Sequence, residues 1–537
     1  MKVTLRIIGM LVAPLPIFAL AAPMADASVA PAGRVIMANE TVSAVAQATH
    51  TGTLASSQKL NLQVSLVPRN QAKLDAFIKA VSDPLSKSYK HYLTVAQYAA
   101  EYGATNAQIA QVTSYLKSEG LSVGPVTANH LTLAVAGTAA QAEKAFAVSI
   151  GTYKSATRSF YANSAAPSLP ASIASVVSGV AGLSTASVRT AAYTKTSAVT
   201  ARAGTTLTPT LAREGYNLTS SISSGYNGSG KTVALAEFSA YTASNPATYN
   251  TTYSLGATAA TVVSVGGGTT DLSGDVEDEL DIEVEYALAP KATVKVYEAP
   301  NSDAGEVALY SALVSADSSV ISISWGEPEN AENNLASDDA DFKEAAAQGE
   351  SVYAASGDSG AKDDGSTLSV DYPASDGYVS GVGGTNLTVT SAAWASETGW
   401  SGSGGGISDK WATPSFQTSV NTGSYRDVPD VSAAGGNNSP WQIYTEGGWY
   451  TVYGTSAAAP NWGAFSADYD TAATALGKSA FGYANSFIYT VASSSYYSSA
   501  FHDITSGSNG GYSAGTGYDK VTGWGSYNGG AFIADEL

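Results

Sequence analysis

With 537 residues, 44% of them hydrophobic and 13% charged, the chain is too long for one ordinary domain and too apolar to be disordered. It has no cysteine, which excludes a thiol nucleophile, disulfides and a cysteine-based zinc site, and its net charge of −19 argues against nucleic acid as a partner. The total conceals a split: residues 201–537 carry 11 Lys and Arg against 38 Asp and Glu, a net −27, whereas residues 1–200 carry 15 against 7, a net +8. Two unrelated domains could differ in this way. A basic part that docks on an acidic one near neutral pH, and lets go as carboxylates protonate, would need such a split.

Lys2 and Arg6 precede an apolar stretch from Ile7 to Ala22 and then Ala25-Asp26-Ala27. This pattern predicts a secretory signal over residues 1–27, cleaved near Ser28, and a secreted, extracellular protein. A retained anchor helix is the alternative, but the run is short and interrupted by Pro14 and Pro16. No later stretch is apolar enough to span a bilayer, so no membrane partner is expected.

Leu60 to Val67 alternates apolar and polar residues as a strand does, and Gln71 to Val81 and Thr105 to Glu119 repeat at helical spacing. His130 to Ala136 reads as a strand and Ala139 to Phe146 as a helix. Residues 28–189 are therefore expected to form a small α+β domain of ferredoxin-like type. Thr190 to Thr208 is rich in Thr, Ala and Ser and lacks periodicity, so residues 190–206 are expected to be an exposed, protease-accessible linker.

The pattern then changes. Lys231 to Phe238, Thr293 to Tyr297, Ser319 to Trp325, Ser351 to Ala355 and Tyr378 to Val382 are short apolar runs suited to central parallel strands. Val276 to Leu288, Ala304 to Ala316 and Asp338 to Ala347 are helical in pattern, so residues 207–537 are predicted to be an α/β domain, a parallel sheet flanked by helices. Thr390 to Gly454, rich in Gly, Ser, Thr and Trp, reads as surface loops and hairpins.

Ser456 lies in Tyr453-Gly454-Thr455-Ser456-Ala457-Ala458-Ala459-Pro460, a sequence suited to a serine nucleophile at a helix start. His50, His91 and His130 fall in the N-terminal part, which leaves only His502. The expected base is therefore a carboxylate, which implies chemistry at acid pH. Such a base is at hand between Asp275 and Glu285: on a helix, Val276, Leu280, Val284 and Leu288 form an apolar stripe with Glu277 inside it and Asp281 at its edge. Two adjacent, partly buried carboxyls cannot both ionise freely, so one holds or passes a proton. A solvated acidic face would account for Asp275, Asp278, Glu279 and Glu285, but poorly for that pair.

Asp358, in a Gly-flanked turn after Ser351 to Ala355, is expected beyond the end of a central strand, where α/β sheets bind ligands; a self-satisfied turn aspartate is the plainer reading. Asp503 and Asp519 bracket a glycine-rich loop that can offer carboxylates and carbonyls to a hard cation, or be an ordinary hairpin.

These residues together resemble the sedolisin family of serine-carboxyl peptidases in precursor form, closest to its kumamolisin branch. The resemblance extends to Ser88-Tyr89-Lys90-His91-Tyr92-Leu93-Thr94 in the N-terminal part. Gly-Thr-Ser with a later proline is shared with subtilisins, but the helix that would carry a subtilisin's histidine carries Glu277 and Asp281. The resemblance implies a subtilisin-like catalytic fold, Ser456 as nucleophile, Glu277 as base, Asp281 as its partner and Asp358 as oxyanion-hole donor. Glu237 and Trp325 would extend the dyad. It also implies one calcium ion held by the side chains of Asp503 and Asp519 and the carbonyls of Ile504, Gly515 and Gly517.

The expected partners are protein and peptide substrates, and the chain's own N-terminal domain as intramolecular inhibitor of a monomeric endopeptidase. Tyr453 and Asn461 depart from the family's commoner residues and bear on subsite shape. A carboxylate-dyad glycoside hydrolase and a secreted binding protein are the competing readings; neither needs the Ser456 hydroxyl for peptide cleavage.

Overall fold

The computed structural model describes residues 33–37, 43–196 and 206–537; the expected signal segment lies outside them. In the N-terminal domain the strand Lys59–Leu66 buries Leu60, Leu62, Val64 and Leu66. It sits inside a four-stranded antiparallel sheet ordered Ser122–Val126, Thr132–Thr138, Lys59–Leu66, Val177–Ala181. The helices Val95–Glu101, Asn106–Ser118 and Ala139–Phe146 each start at a threonine whose hydroxyl accepts the N–H of a glutamine three residues on, while the glutamine side chain accepts the threonine's own N–H. These reciprocal caps fix where the helices begin.

The C-terminal domain is built on strands Thr261–Ser264, Thr293–Glu298, Thr232–Glu237, Val320–Ile323, Ser351–Ala355 and Ser380–Thr390, side by side in that order and all parallel. Ala393–Gly399 continues the sheet antiparallel, and Val431–Ala434 pairs in parallel with the start of Ser380–Thr390. Val431–Ala434 is wholly buried, so the stretch read as surface hairpins contributes a core strand. Alternate residues of the strands face opposite layers. Val233, Leu235 and Val320 pack with the helices Asp275–Leu288 and Ala458–Leu476. Ala234, Ala236, Ile321 and Ile323 pack with Asp303–Val314 and Leu335–Gln348. No helix among the described residues is long and apolar enough to cross a membrane.

The N-terminal domain docks on the outer helices Asp303–Val314 and Leu335–Gln348. Buried Asn129 donates to Glu344 Oε2 at 2.8 Å and Asp341 Oδ1 at 3.2 Å. Tyr92 fills a hollow beside Gly349 and Gly482, where any side chain would collide with its ring or hydroxyl, and its hydroxyl accepts the Tyr483 N–H at 3.2 Å.

Residues 190–196, expected as exposed linker, are mostly half-buried and strand-like; residues 197–205 lie outside the described set. Thr190–Ala191 pairs antiparallel with Gly326 and Trp325, and Thr194–Lys195 with Tyr453 and Val452. The partners are backbone edges far away in sequence, which no local periodicity reveals.

Candidate active site

The helix Asp275–Leu288 begins with Asp275, Glu277 and Asp278 in its first turn, where unpaired N–H groups favour negative charge. Helical spacing then sets Glu277 and Asp281 on one side, and the helix packs against the turn Thr455–Ala457 that carries Ser456. Asp278, Glu279 and Glu285 do not form a solvated face: each is fully buried. The helix is wrapped by Pro209–Gly215, Ser244–Thr252, Trp441–Thr445 and Ala458–Leu476, so no side is left for water. Glu279 is compensated by the Thr242 N–H at 3.0 Å and Asn245 Nδ2 at 2.8 Å.

Glu237 at the end of its strand, Glu277, Asp278 and Asp281 make one group of buried carboxyls. None pairs with a lysine or arginine among the described residues. Burial pushes Glu277 well above the usual carboxylate range, Glu237 adds to that, and the Ser456 hydroxyl and Asp281 pull it back. Asp281 is itself raised by burial and by Glu237 and Glu277, while Ser324 Oγ, 3.0 and 2.9 Å from its two oxygens, draws it down. Glu237 is pushed up to about 7, chiefly by burial, against hydrogen bonds from Asp278 and Trp325; Trp325 Nε1 donates to Glu237 Oε2 at 2.7 Å.

Ser456 Oγ is buried and donates over a long 3.4 Å to the Ser324 carbonyl. Its influence on Glu277 shows the two are neighbours, although no well-formed hydrogen bond joins them and both Glu277 oxygens are without a partner. Catalytic contacts often tighten only when substrate is bound and reacting. Ser324 is the residue the sequence reading missed: it sits at the break between Val320–Ile323 and Trp325–Pro328, inside the run Ser319 to Trp325 that reads as one apolar strand.

Asp358 follows the strand Ser351–Ala355. Its Oδ1 accepts the Thr455 N–H at 2.8 Å and the Thr455 hydroxyl at 2.9 Å, whereas Oδ2 has no partner. A Cβ on Gly454 would strike the Ala192 carbonyl oxygen and lie 2.7 Å from Asp358 Oδ2, so both oxygens converge on the space glycine leaves. The Ser456 N–H donates to that same Ala192 oxygen at 3.2 Å. Burial pushes Asp358 up to about 8 despite the Thr455 hydrogen bonds. The Tyr193 phenol is pushed up to about 12 by burial and by Glu277 and Asp275 beside it. Thus the chain's own residues 192–193 lie against Ser456, Asp358 and Glu277. Tyr453 takes part in this cleft by pairing with Thr194, whereas Asn461 is buried and receives the Tyr527 hydroxyl.

His502 stacks on Trp394 with ring centroids 4.2 Å apart, and no histidine among the described residues hydrogen-bonds to Ser456. In the C-terminal loop the Gly517 N–H donates to Asp503 Oδ1 and the Gly515 N–H to Asp519 Oδ2, both at 3.0 Å. One loop therefore links the two carboxylates, and Ile504 is buried beneath it.

Residues 46–186 match the family described as pro-kumamolisin, activation domain, and residues 286–469 match the subtilase family. Kumamolisin of Bacillus sp. is 31% identical over 89% of this chain and 92% of its own length. Sedolisin of Pseudomonas sp. is 30% identical over 88% of this chain and 86% of its own. The solved structure of Pseudomonas sedolisin, complexed with two molecules of pseudo-iodotyrostatin, superposes with a TM-score of 0.55 at 28% identity, covering 62% of this chain and 98% of that one. The glycoside-hydrolase and binding-protein readings give way to these findings. An activation domain, a parallel-sheet peptidase domain and this extent of identity have one conclusion: the chain belongs to the sedolisin family of serine-carboxyl peptidases, in precursor form.

Proposed function

We propose that this chain is the exported zymogen of an acid-active endopeptidase in which Ser456 is the nucleophile, Glu277 the general base, Asp281 its proton-sharing partner and Asp358 an oxyanion donor. The observation that carries the reading is the Ala192 carbonyl held by the Ser456 N–H beside the partnerless Asp358 oxygen. Ser456 Oγ attacks a carbonyl carbon and gives its proton to Glu277; a protonated Asp281 steadies the Glu277 carboxylate. Glu277 returns the proton to the leaving amine, and water then resolves the acyl ester by the same route. Asp358 donates to the oxyanion only while protonated, so activity falls as pH rises through its raised pKa.

The oxygen-only set of Asp503, Asp519 and the carbonyls of Ile504, Gly515 and Gly517 suits one calcium ion, and neither aspartate pairs with a lysine or arginine among the described residues. When bound, the ion supplies a cross-link of the C-terminal loop, remote from the chemistry. The test is turnover of a denatured protein at pH 4 by Ser456→Ala and Glu277→Gln proteins shown to be folded. Parent-like activity in either would sink the assignment, and release of tripeptides alone in place of internal fragments would refute endopeptidase action.

A further inference from the structure

Arg189 carries its charge out of the N-terminal domain and into the C-terminal one, where it is 2% exposed. Its Nε donates to Glu306 Oε1 at 2.8 Å, Nη1 to Asp303 Oδ1 at 3.0 Å, and Nη2 to Glu332 Oε2 at 2.9 Å and to Glu306 Oε2. Glu327 lies 3.4 Å away. Asn301 clasps the backbone, accepting the Arg189 N–H and donating to its carbonyl, both at 2.8 Å. Every wall of this pocket comes from beyond residue 300, so the pocket stays when the N-terminal domain departs.

Carboxyl oxygens of Glu306, Glu332 and Asp338 come within 4.8 Å of one another, a repulsive arrangement unless protons or a cation relieve it. The planar fork of arginine fits it, with two donors on Glu306 alone; a lysine has no such fork. Burial works against ionisation of Glu332, but Arg189 and the hydrogen bonds it receives outweigh that and hold it below the usual range. Of the four carboxyls around Arg189, Glu332 is thus the one the guanidinium keeps below the usual range.

From Arg189 the segment runs extended along the cleft. Thr190 and Ala191 pair with Gly326 and Trp325, the Ala192 N–H donates to the Ser324 carbonyl at 3.2 Å, and the Ala192 carbonyl meets Ser456. Beyond it Thr194 and Lys195 pair with Tyr453 and Val452. This register is that of a substrate strand whose attacked carbonyl is Ala192, with Arg189 three residues earlier.

We propose that Asp303, Glu306, Glu327 and Glu332 form a specificity subsite that takes an arginine three residues before the attacked carbonyl, and that the precursor's first cut, read by this subsite, is the Ala192–Tyr193 bond. The proposal rests on the reading of Ser456 as nucleophile. In the cut, Ser456 Oγ bonds to the Ala192 carbonyl carbon, the Ala192–Tyr193 C–N bond breaks, and Tyr193 leaves as an amine with the proton held by Glu277. Water then adds to the ester, leaving Ala192 as a carboxylic acid and restoring the Ser456 hydroxyl.

The test uses acid-activated wild-type enzyme and three peptides: the sequence of residues 186–196, and the same peptide with Gln or Lys in place of Arg189. Mass spectrometry should find one cut, between the residues equivalent to Ala192 and Tyr193. The Gln peptide should lose roughly 30-fold or more in kcat/KM, with Lys in between. A Glu332→Gln enzyme should narrow the ratio of Arg to Gln peptide. Equal kcat/KM for the Arg and Gln peptides in the wild-type enzyme would reduce Arg189 to a mere anchor and overturn the subsite; a cut at another bond would overturn the processing site. Either failure alongside normal digestion of a denatured protein leaves the Ser456 reading standing, whereas inactivity on every substrate sinks both.

Discussion

The N-terminal domain buries none of its five described acids, Asp75, Asp83, Glu101, Glu119 and Glu143, while the C-terminal domain buries 24 of its 38. Both domains fold around ordinary apolar cores, so the difference lies in what a change of pH does to each. A buried carboxyl whose pKa is raised above its unfolded value of about 4 stabilises the fold fully below that value and loses the contribution as pH rises through the folded value. Where values are resolved for buried carboxyls, Asp303 and Asp470 near 6, Glu237, Glu279 and Glu298 near 7 and Glu306 near 8, they span pH 4 to 8. The C-terminal domain is therefore built to strengthen in acid, and the N-terminal domain has no corresponding reserve. Acid thus strengthens one domain without strengthening the other.

The hardest blow to this contrast falls where buried acids are proposed to perform chemistry. Ser456→Ala and Glu277→Gln should each lower turnover at pH 4 by ~10⁴ or more in folded protein. If Glu277→Gln retained activity, the carboxyls around Ser456 would be packing only. Asp358→Asn should cost ~10² in turnover, since an amide still donates, and should extend activity to higher pH than the parent. A pH profile of unchanged shape would remove the need for a protonated Asp358.

The seam between the domains offers a sharper comparison. Asn129→Ala strips Glu344 and Asp341 of their donor from the N-terminal domain, about 1–3 kcal/mol for a buried polar contact. The precursor should then mature several-fold faster at pH 5 on a timed gel, and equal rates would show that the seam does not govern release. Asp503→Ala should lower the melting temperature in calcium buffer at pH 6 by several degrees and shorten lifetime at acid pH. Indifference both to that change and to a chelator would return the loop to a plain hairpin. The smallest effect concerns Asp468, buried beside Glu285 with neither carboxyl hydrogen-bonded. The activated enzyme should melt at lower temperature at pH 8 than at pH 4, and Asp468→Asn should narrow that gap by a few degrees. A gap of the reverse sign would overturn the linkage.

Much of this was legible in the chain. Short apolar runs located the central strands, helical spacing joined Glu277 to Asp281, and the Gly-Thr-Ser segment marked a helix start at Ser456. Asp278 and Glu285 read as solvated because charge pattern records polarity and not enclosure; the elements that wrap their helix lie as far off as residue 476. Ser324 was hidden inside an apolar run. Residues 190–196 read as featureless because a strand that borrows its ladder from distant edges needs no pattern of its own.

Tyr92 leaves a last consequence. Two glycines more than a hundred residues apart, Gly349 and Gly482, stand back to admit a single phenol, and the Tyr483 N–H meets its oxygen. When the N-terminal domain is shed, this hollow remains on the mature surface as a mould of the part that has gone. Its shape is set by side chains that are not there, so the C-terminal domain carries in its own glycines the outline of a tyrosine it does not possess.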